Sequence, residues 1–164
     1  MRLLTVLVVL LAAAPVVAAE DGGRPALNRP ASHRLALNRL ALNRLAGPVP
    51  AEVIRVIDGD TLAVRAHIWL GQEVETLVRL FGVDAPELKG KCPAERDAAQ
   101  RARQALSDKV AGGAVALRDI RFEKYAGRVM SRIEANGADV GRALIADGVV
   151  RSYWGRKREG WCGD

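Results

Sequence analysis

The stretch Val53-Ile54-Arg55-Val56-Ile57-Asp58-Gly59-Asp60-Thr61-Leu62-Ala63-Val64-Arg65-Ala66-His67-Ile68-Trp69 decides the fold. Val53 to Ile57 is rich in β-branched residues and reads as a strand. Asp58-Gly59-Asp60 stops it, because glycine reaches backbone angles that other residues avoid and aspartate bonds to nearby backbone N–H groups. Beyond that turn, Leu62, Val64, Ala66 and Ile68 alternate with Ala63, Arg65, His67 and Trp69. This period of two is the spacing of a half-buried strand, so the stretch predicts a hairpin.

The same punctuation continues outward. Gly71 marks a second turn, and Val74 to Val83 reads as a third strand that Pro86 cannot continue. Pro93, with Glu95 just behind it, opens a helix whose apolar stripe is Ala98, Ala102, Ala105, Leu106 and Val110, and Gly112-Gly113 ends it. Ala114 to Ile120 and Arg128 to Ala135 are two more strands, the second closed by Asn136-Gly137. Asp139 caps a short helix that runs through Ala146. The expected class is α+β, mainly β: a five-stranded OB-type barrel with a helix between strands 3 and 4 and a short helix after strand 5.

Ahead of this domain the texture differs. Met1-Arg2, the apolar run Leu3 to Pro15 and the small residues Val17-Ala18-Ala19 have the pattern of a secretory signal peptide over residues 1–19. The run is too short to span a bilayer, and no cysteine near the cut suggests a lipoprotein. Arginine then recurs at 24, 29, 34, 39 and 44, a five-residue period that matches neither helix nor strand. Residues 20–50 therefore read as a basic low-complexity linker ending at Gly47-Pro48-Val49-Pro50, with an arginine arm for nucleic acid or an anionic surface as the sharper reading. The remaining domain, 51–164, ends in a basic tail, Arg156-Lys157-Arg158.

Charge excludes little. The chain carries +6, but residues 51–164 hold 19 Lys+Arg against 17 Asp+Glu, so only a local cluster would mark a nucleic-acid surface. Export frames Cys92 and Cys162: an oxidising compartment favours one disulfide, which in the chain-entropy model stabilises a loop of this size by about 4 kcal/mol. Two free thiols or an intermolecular bridge are the alternatives. His33 and His67 lack zinc-ligand spacing to either cysteine.

The chemistry-bearing residues are Asp58-Gly59-Asp60, Arg79, Asp84-Ala85-Pro86-Glu87 and Arg128. Carboxylate oxygens suit a hard divalent cation, and guanidinium forks suit phosphoryl oxygens, so their convergence would make a metal-assisted phosphodiesterase. Taken singly, each has a bland reading as a hairpin turn, a solvated loop or a surface ion pair. The turn is not an EF-hand, since Leu62 and Ala63 fill positions where that loop needs oxygen and glycine.

Four pieces in order carry a resemblance: Val56-Ile57-Asp58-Gly59-Asp60-Thr61, Val78-Arg79-Leu80-Phe81-Gly82-Val83-Asp84-Ala85-Pro86-Glu87, Lys124-Tyr125-Ala126-Gly127-Arg128, and Asp139-Val140-Gly141-Arg142-Ala143-Leu144-Ile145. Over about residues 51–153 the chain resembles the staphylococcal nuclease (thermonuclease) family. The resemblance implies an OB barrel and a hydrolase of the endo/exonuclease type. Asp60, Asp84 and the backbone carbonyl of Ala85 would hold Ca²⁺, and Glu87 would be the general base. Arg79 and Arg128 would bind the phosphate and stabilise the transition state, while Lys124 and Tyr125 would border the nucleotide. The signal-peptide pattern implies a periplasmic or secreted protein, without membrane insertion after signal cleavage, and a monomer is expected. Its substrates would be DNA and RNA, single-stranded preferred, cut by in-line water attack to leave 3′-phosphates. The competing expectation is a catalytically inactive OB-type nucleic-acid-binding module. Tyr153 and Trp154 offer a stacking surface or tail packing, and Trp161-Cys162 could clamp the tail to Cys92.

Overall fold

The structure is a computed structural model that describes residues 43–123 and 127–163. The expected signal peptide, most of the arginine repeat, Lys124 and Tyr125 lie outside the described residues. The described chain forms β1 (Arg44–Leu45), β2 (Val49–Val56), β3 (Thr61–Trp69), β4 (Gln72–Leu80), β5 (Val83–Asp84), α1 (Pro93–Lys109), β6 (Ala114–Phe122), β7 (Arg128–Ala135), β8 (Ala138–Asp139), α2 (Val140–Ala146) and β9 (Arg151–Ser152).

Strands β6, β2, β3, β4 and β7 lie side by side in that order, and β6 also pairs with β7, which closes the barrel. All these pairings are antiparallel except β4 with β7. A parallel pair needs a long crossover, and the chain makes it through α1 and β6. This is the OB-type architecture the sequence predicts, with α1 between the third and fourth barrel strands and α2 after the fifth. The interior is filled by Leu62, Val64, Val78, Leu80, Leu117 and Ile133, with Leu106 of α1 and Leu144 of α2 packed onto it.

Three details differ from the sequence reading. The first concerns the linker. Strand β2 starts at Val49, where Val49 pairs with Leu117 and Pro50 with Ala116, and Arg44–Leu45 pair with Arg121 and Ile120 toward the end of β6. The end of the expected 20–50 linker thus belongs to the sheet, held further by Arg44 Nε on Asp119 Oδ1 at 3.2 Å. The second is Ile68, which is exposed because the β3–β4 hairpin runs past the barrel end through a register shift between His67 and Trp69. The third is the helix stripe. Ala99 is buried where Ala98 was expected, giving Glu95, Ala99, Ala102 and Leu106 as the inward face.

Candidate active site

The Asp58-Gly59-Asp60 turn is held tightly enough to aim one carboxylate. The N–H groups of Ile57 and Asp58 both donate to the carbonyl of Thr61, at 2.9 and 3.3 Å. The Asp60 N–H donates to Asp58 Oδ1 at 3.1 Å, so Asp58 braces the turn. Gly59 is required by packing: a Cβ there would sit 2.7 Å from Ala102 Cβ and 3.0 Å from Ala85 Cβ. That close approach presses the turn against both α1 and the second acidic segment.

Asp60 is 3% exposed. Its carboxylate receives the Thr61 hydroxyl at 2.9 Å and the Arg79 guanidinium at 2.7 Å. Burial pushes its pKa up to about 7; Arg79 and Thr61 pull the other way, while the Asp58 carboxylate adds to the rise. The pairing of Asp60 with Arg79 follows from the sheet, because Thr61 lies opposite Arg79 in the β3–β4 ladder. The N–H of Leu80 also donates to the Asp60 carbonyl at 2.8 Å.

Arg128 opens β7 and lies opposite Leu77 in the parallel ladder, two residues from Arg79 on β4. It is bound by Glu123 through Nε and through Nη2 at 2.9 Å. Those bonds hold its pKa above the ordinary arginine value, with lesser support from Asp60 and Asp58. Arg79 and Arg128 line one cleft of about 520 Å³, together with Phe81, Tyr153 and Trp154. Trp154 meets Phe81 edge to face, with ring centroids 5.6 Å apart, and stays largely exposed.

The second acidic segment is placed from behind by α1. Cys92 caps the helix, and Glu95 in its first turn is buried. The Glu95 carboxylate accepts the N–H of Lys91 at 3.0 Å and that of Glu87 at 3.4 Å. Gly90 leaves the space this carboxylate needs, since a Cβ there would collide with Glu95 Cγ. The result is a buried Asp84 on β5 and a Glu87 whose side chain is 57% exposed at the rim.

The tail completes this half. Arg158 Nε bonds Asp84 Oδ1, and its Nη1 bonds Glu87 Oε1 at 2.9 Å. Trp161 Nε1 donates to Asp84 Oδ2 at 3.3 Å. Burial works against the Arg158 charge, but its bonds to Asp84 and Glu87 outweigh that and hold its pKa above the usual value. Cys92 and Cys162 are bonded to each other across 70 residues, which anchors the tail beside the acids.

Of the expected site residues, Asp60 and Arg79 are in direct contact, Arg128 lines the same cleft as Arg79, and Asp84 at the end of β5 leads into Ala85 and Glu87. Lys124 and Tyr125 fall outside the described residues. Sequence reasoning gives Glu95 only as a helix-opening residue and Arg158 only as part of a basic tail, and it does not single out Glu123. The oxygen donors Asp60 and Asp84, both buried, with the Ala85 carbonyl next in the chain, fit a hard divalent cation. Asp60, Asp84 and Glu87 do not bring three ligand atoms within 4.8 Å of one another; among the described residues Cys92, Glu95 and Cys162 do, and the two sulfurs are already bonded together.

A closed OB-type barrel carrying buried Asp60 and Asp84, each paired with an arginine, is a nuclease-like fold. The sequence profile of the family described as staphylococcal nuclease homologue matches residues 77–160, and the chain belongs to that family. Membership is consistent with binding nucleic acid. No curated protein matches the chain.

Proposed function

We propose that this protein is an exported, calcium-dependent nuclease that hydrolyses phosphodiester bonds of DNA and RNA and leaves 3′-phosphates. The observation that carries this reading is the cleft in which Arg79 and Arg128 stand together beside buried Asp60. A phosphodiester is already negative, so attack by water needs cations on the phosphate oxygens, and guanidinium groups fixed in advance supply them without reorganisation. Asp60, Asp84 and the Ala85 carbonyl would hold Ca²⁺, which when bound would polarise the phosphate and offset its charge. Glu87, 57% exposed at the rim and bonded through Oε1 to Arg158, would take a proton from the attacking water once that bond is released. Lys124 and Tyr125 would border the nucleotide.

Trp154 and Tyr153 give the cleft an aromatic wall on which an unpaired base can stack, which favours single-stranded substrate. The disulfide fits an oxidising compartment and so supports residues 1–19 as a signal peptide and a periplasmic or secreted location. Among the described residues no helix is long and apolar enough to cross a membrane. We take the mature protein to be monomeric.

One observation favours the second reading, an inactive OB-type nucleic-acid-binding module. Arg79, Arg128 and Arg158 are each held by a carboxylate of the chain itself. Glu87→Gln separates the two. Hydrolysis of end-labelled single-stranded DNA should fall steeply while substrate affinity stays close to wild type, and wild-type products should carry 3′-phosphate. Equal, negligible turnover by both proteins with retained binding would favour the module.

A further inference from the structure

The tail does more than cover the acidic loop. It satisfies both oxygens of Asp84, Oδ1 through Arg158 and Oδ2 through Trp161, and it reaches Glu87 with the same guanidinium. Asp84 is 3% exposed, so these are bonds to a buried carboxylate. The tail is braced in that position from its other side. The Arg151 guanidinium lies 3.9 Å from the Trp161 ring centroid, and Arg151 Nη1 donates to the Gly160 carbonyl at 3.0 Å. The Cys92–Cys162 bond fixes the end of the segment to the first turn of α1, whose Glu95 orders the acidic loop.

We propose that Arg158, with Trp161, is an intramolecular stand-in for the divalent cation, so that the tail sets how tightly the acid site takes Ca²⁺. This rests on the calcium-dependent reading above. The guanidinium keeps its charge at any pH the protein meets, and its fork sets one positive charge against the carboxylates of both Asp84 and Glu87. A cation arriving at Asp84 meets a carboxylate with both oxygens engaged and a positive charge already beside it. Apparent affinity then falls by the fraction of molecules in which the tail is seated. The disulfide keeps that fraction high, because a tethered group acts at a large effective concentration.

Arg158 also has somewhere to go. Its side chain is 44% exposed, and it borders the cleft of Arg79 and Arg128 as well as that of Asp84 and Glu87. On release it can turn toward the side where a substrate phosphate would lie. A purely structural ion pair would hold the fold without regard to calcium, and the two roles separate by measurement.

The experiment is calorimetric titration of CaCl₂ into the oxidised protein, with no substrate present, for wild type, Arg158→Gln, Arg158→Lys and Asp84→Asn. Arg158→Gln should bind calcium about tenfold more tightly, with Arg158→Lys between it and wild type. Reducing the disulfide should tighten binding by wild type and change Arg158→Gln little, while Asp84→Asn should lose the site. Unchanged or weaker calcium binding by Arg158→Gln and Arg158→Lys, in proteins that melt cooperatively, would overturn the role given to the tail and leave the calcium reading standing. Absence of binding by wild type and both arginine variants up to millimolar calcium would overturn both together.

Discussion

Asp60 and Asp84 are equally buried, at 3% exposure each, yet they are held by different parts of the molecule. Asp60 is held by Thr61, the next residue in the chain, and by Arg79, which lies opposite Thr61 in the β3–β4 ladder. Asp84 is held by Arg158 and Trp161, which are 74 and 77 residues away in sequence. One half of the site is fixed by strand register, and a register error would turn every side chain to the other face. The other half is fixed by a covalent tie between Cys92 and Cys162. Equal burial therefore says nothing about equal robustness. The barrel half should survive whatever leaves the barrel folded, and the tail half should depend on the disulfide.

The largest expected effect strikes the tail half. Breaking the Cys92–Cys162 bond opens a loop of 70 residues and should remove up to about 4 kcal/mol of stability, seen as a lower melting temperature with reductant. The unfolded, unreduced protein should show no titratable thiol. Melting indifferent to reductant would erase the contrast between the halves.

The barrel half is attacked by Arg79→Ala and Arg128→Ala. Each should lower single-turnover hydrolysis by about 10²–10³-fold, the scale for losing one fixed donor to a developing anion. Arg79→Ala also leaves Asp60 without its cation, whereas Arg128→Ala removes the guanidinium paired with the largely buried Glu123. Wild-type rates in a folded Arg128→Ala protein would separate that residue from the chemistry.

A smaller effect sharpens the comparison through pH. The folded-state pKa of Asp60 is raised from 3.8 to about 7. Between those values the folded protein binds more protons than the unfolded chain, so this group's contribution to stability declines as pH rises across that window. Asp60→Asn removes the buried charge. In calcium-free buffer its melting temperature should gain on wild type as pH goes from 4 to 8. An advantage independent of pH would mean that Arg79 fully compensates the carboxylate.

The smallest effect concerns the N-terminal repeat. Deleting residues 20–42 should leave melting and turnover unchanged and weaken nucleic-acid binding only at low salt, where phosphate contacts release counterions. Extending the deletion through Pro50 should lower the melting temperature, because it removes the Arg44–Asp119 contact and the pairing of Val49 with Leu117.

The sequence made the barrel half legible because its signals are local. Period-two alternation marked β3, paired glycines and Asn136-Gly137 marked the turns, and Asp139 marked the start of α2. Those elements bring Asp60 to Arg79 with no long-range information beyond strand pairing. Arg158 carries no such signal. It lies in a run of basic residues after the last regular strand, and its partner is chosen by the disulfide and by Trp161. Glu95 looked like a helix-opening residue because its other role, bonding the N–H groups of Glu87 and Lys91, exists only once the loop has folded over it. Ile68 misled for the opposite reason. Its alternation is intact, but it lies toward the exposed end of the hairpin, next to the exposed Trp69 and Leu70.

The claim that both halves serve one phosphate-cleaving centre is tested most directly by hydrolysis of labelled single-stranded DNA and RNA by the oxidised mature protein. The same preparation is assayed with Ca²⁺ and with excess chelator. Rapid cleavage of both substrates in calcium, lost in chelator and restored when calcium is returned, is the expected result. Cleavage that continues undiminished in chelator would contradict it.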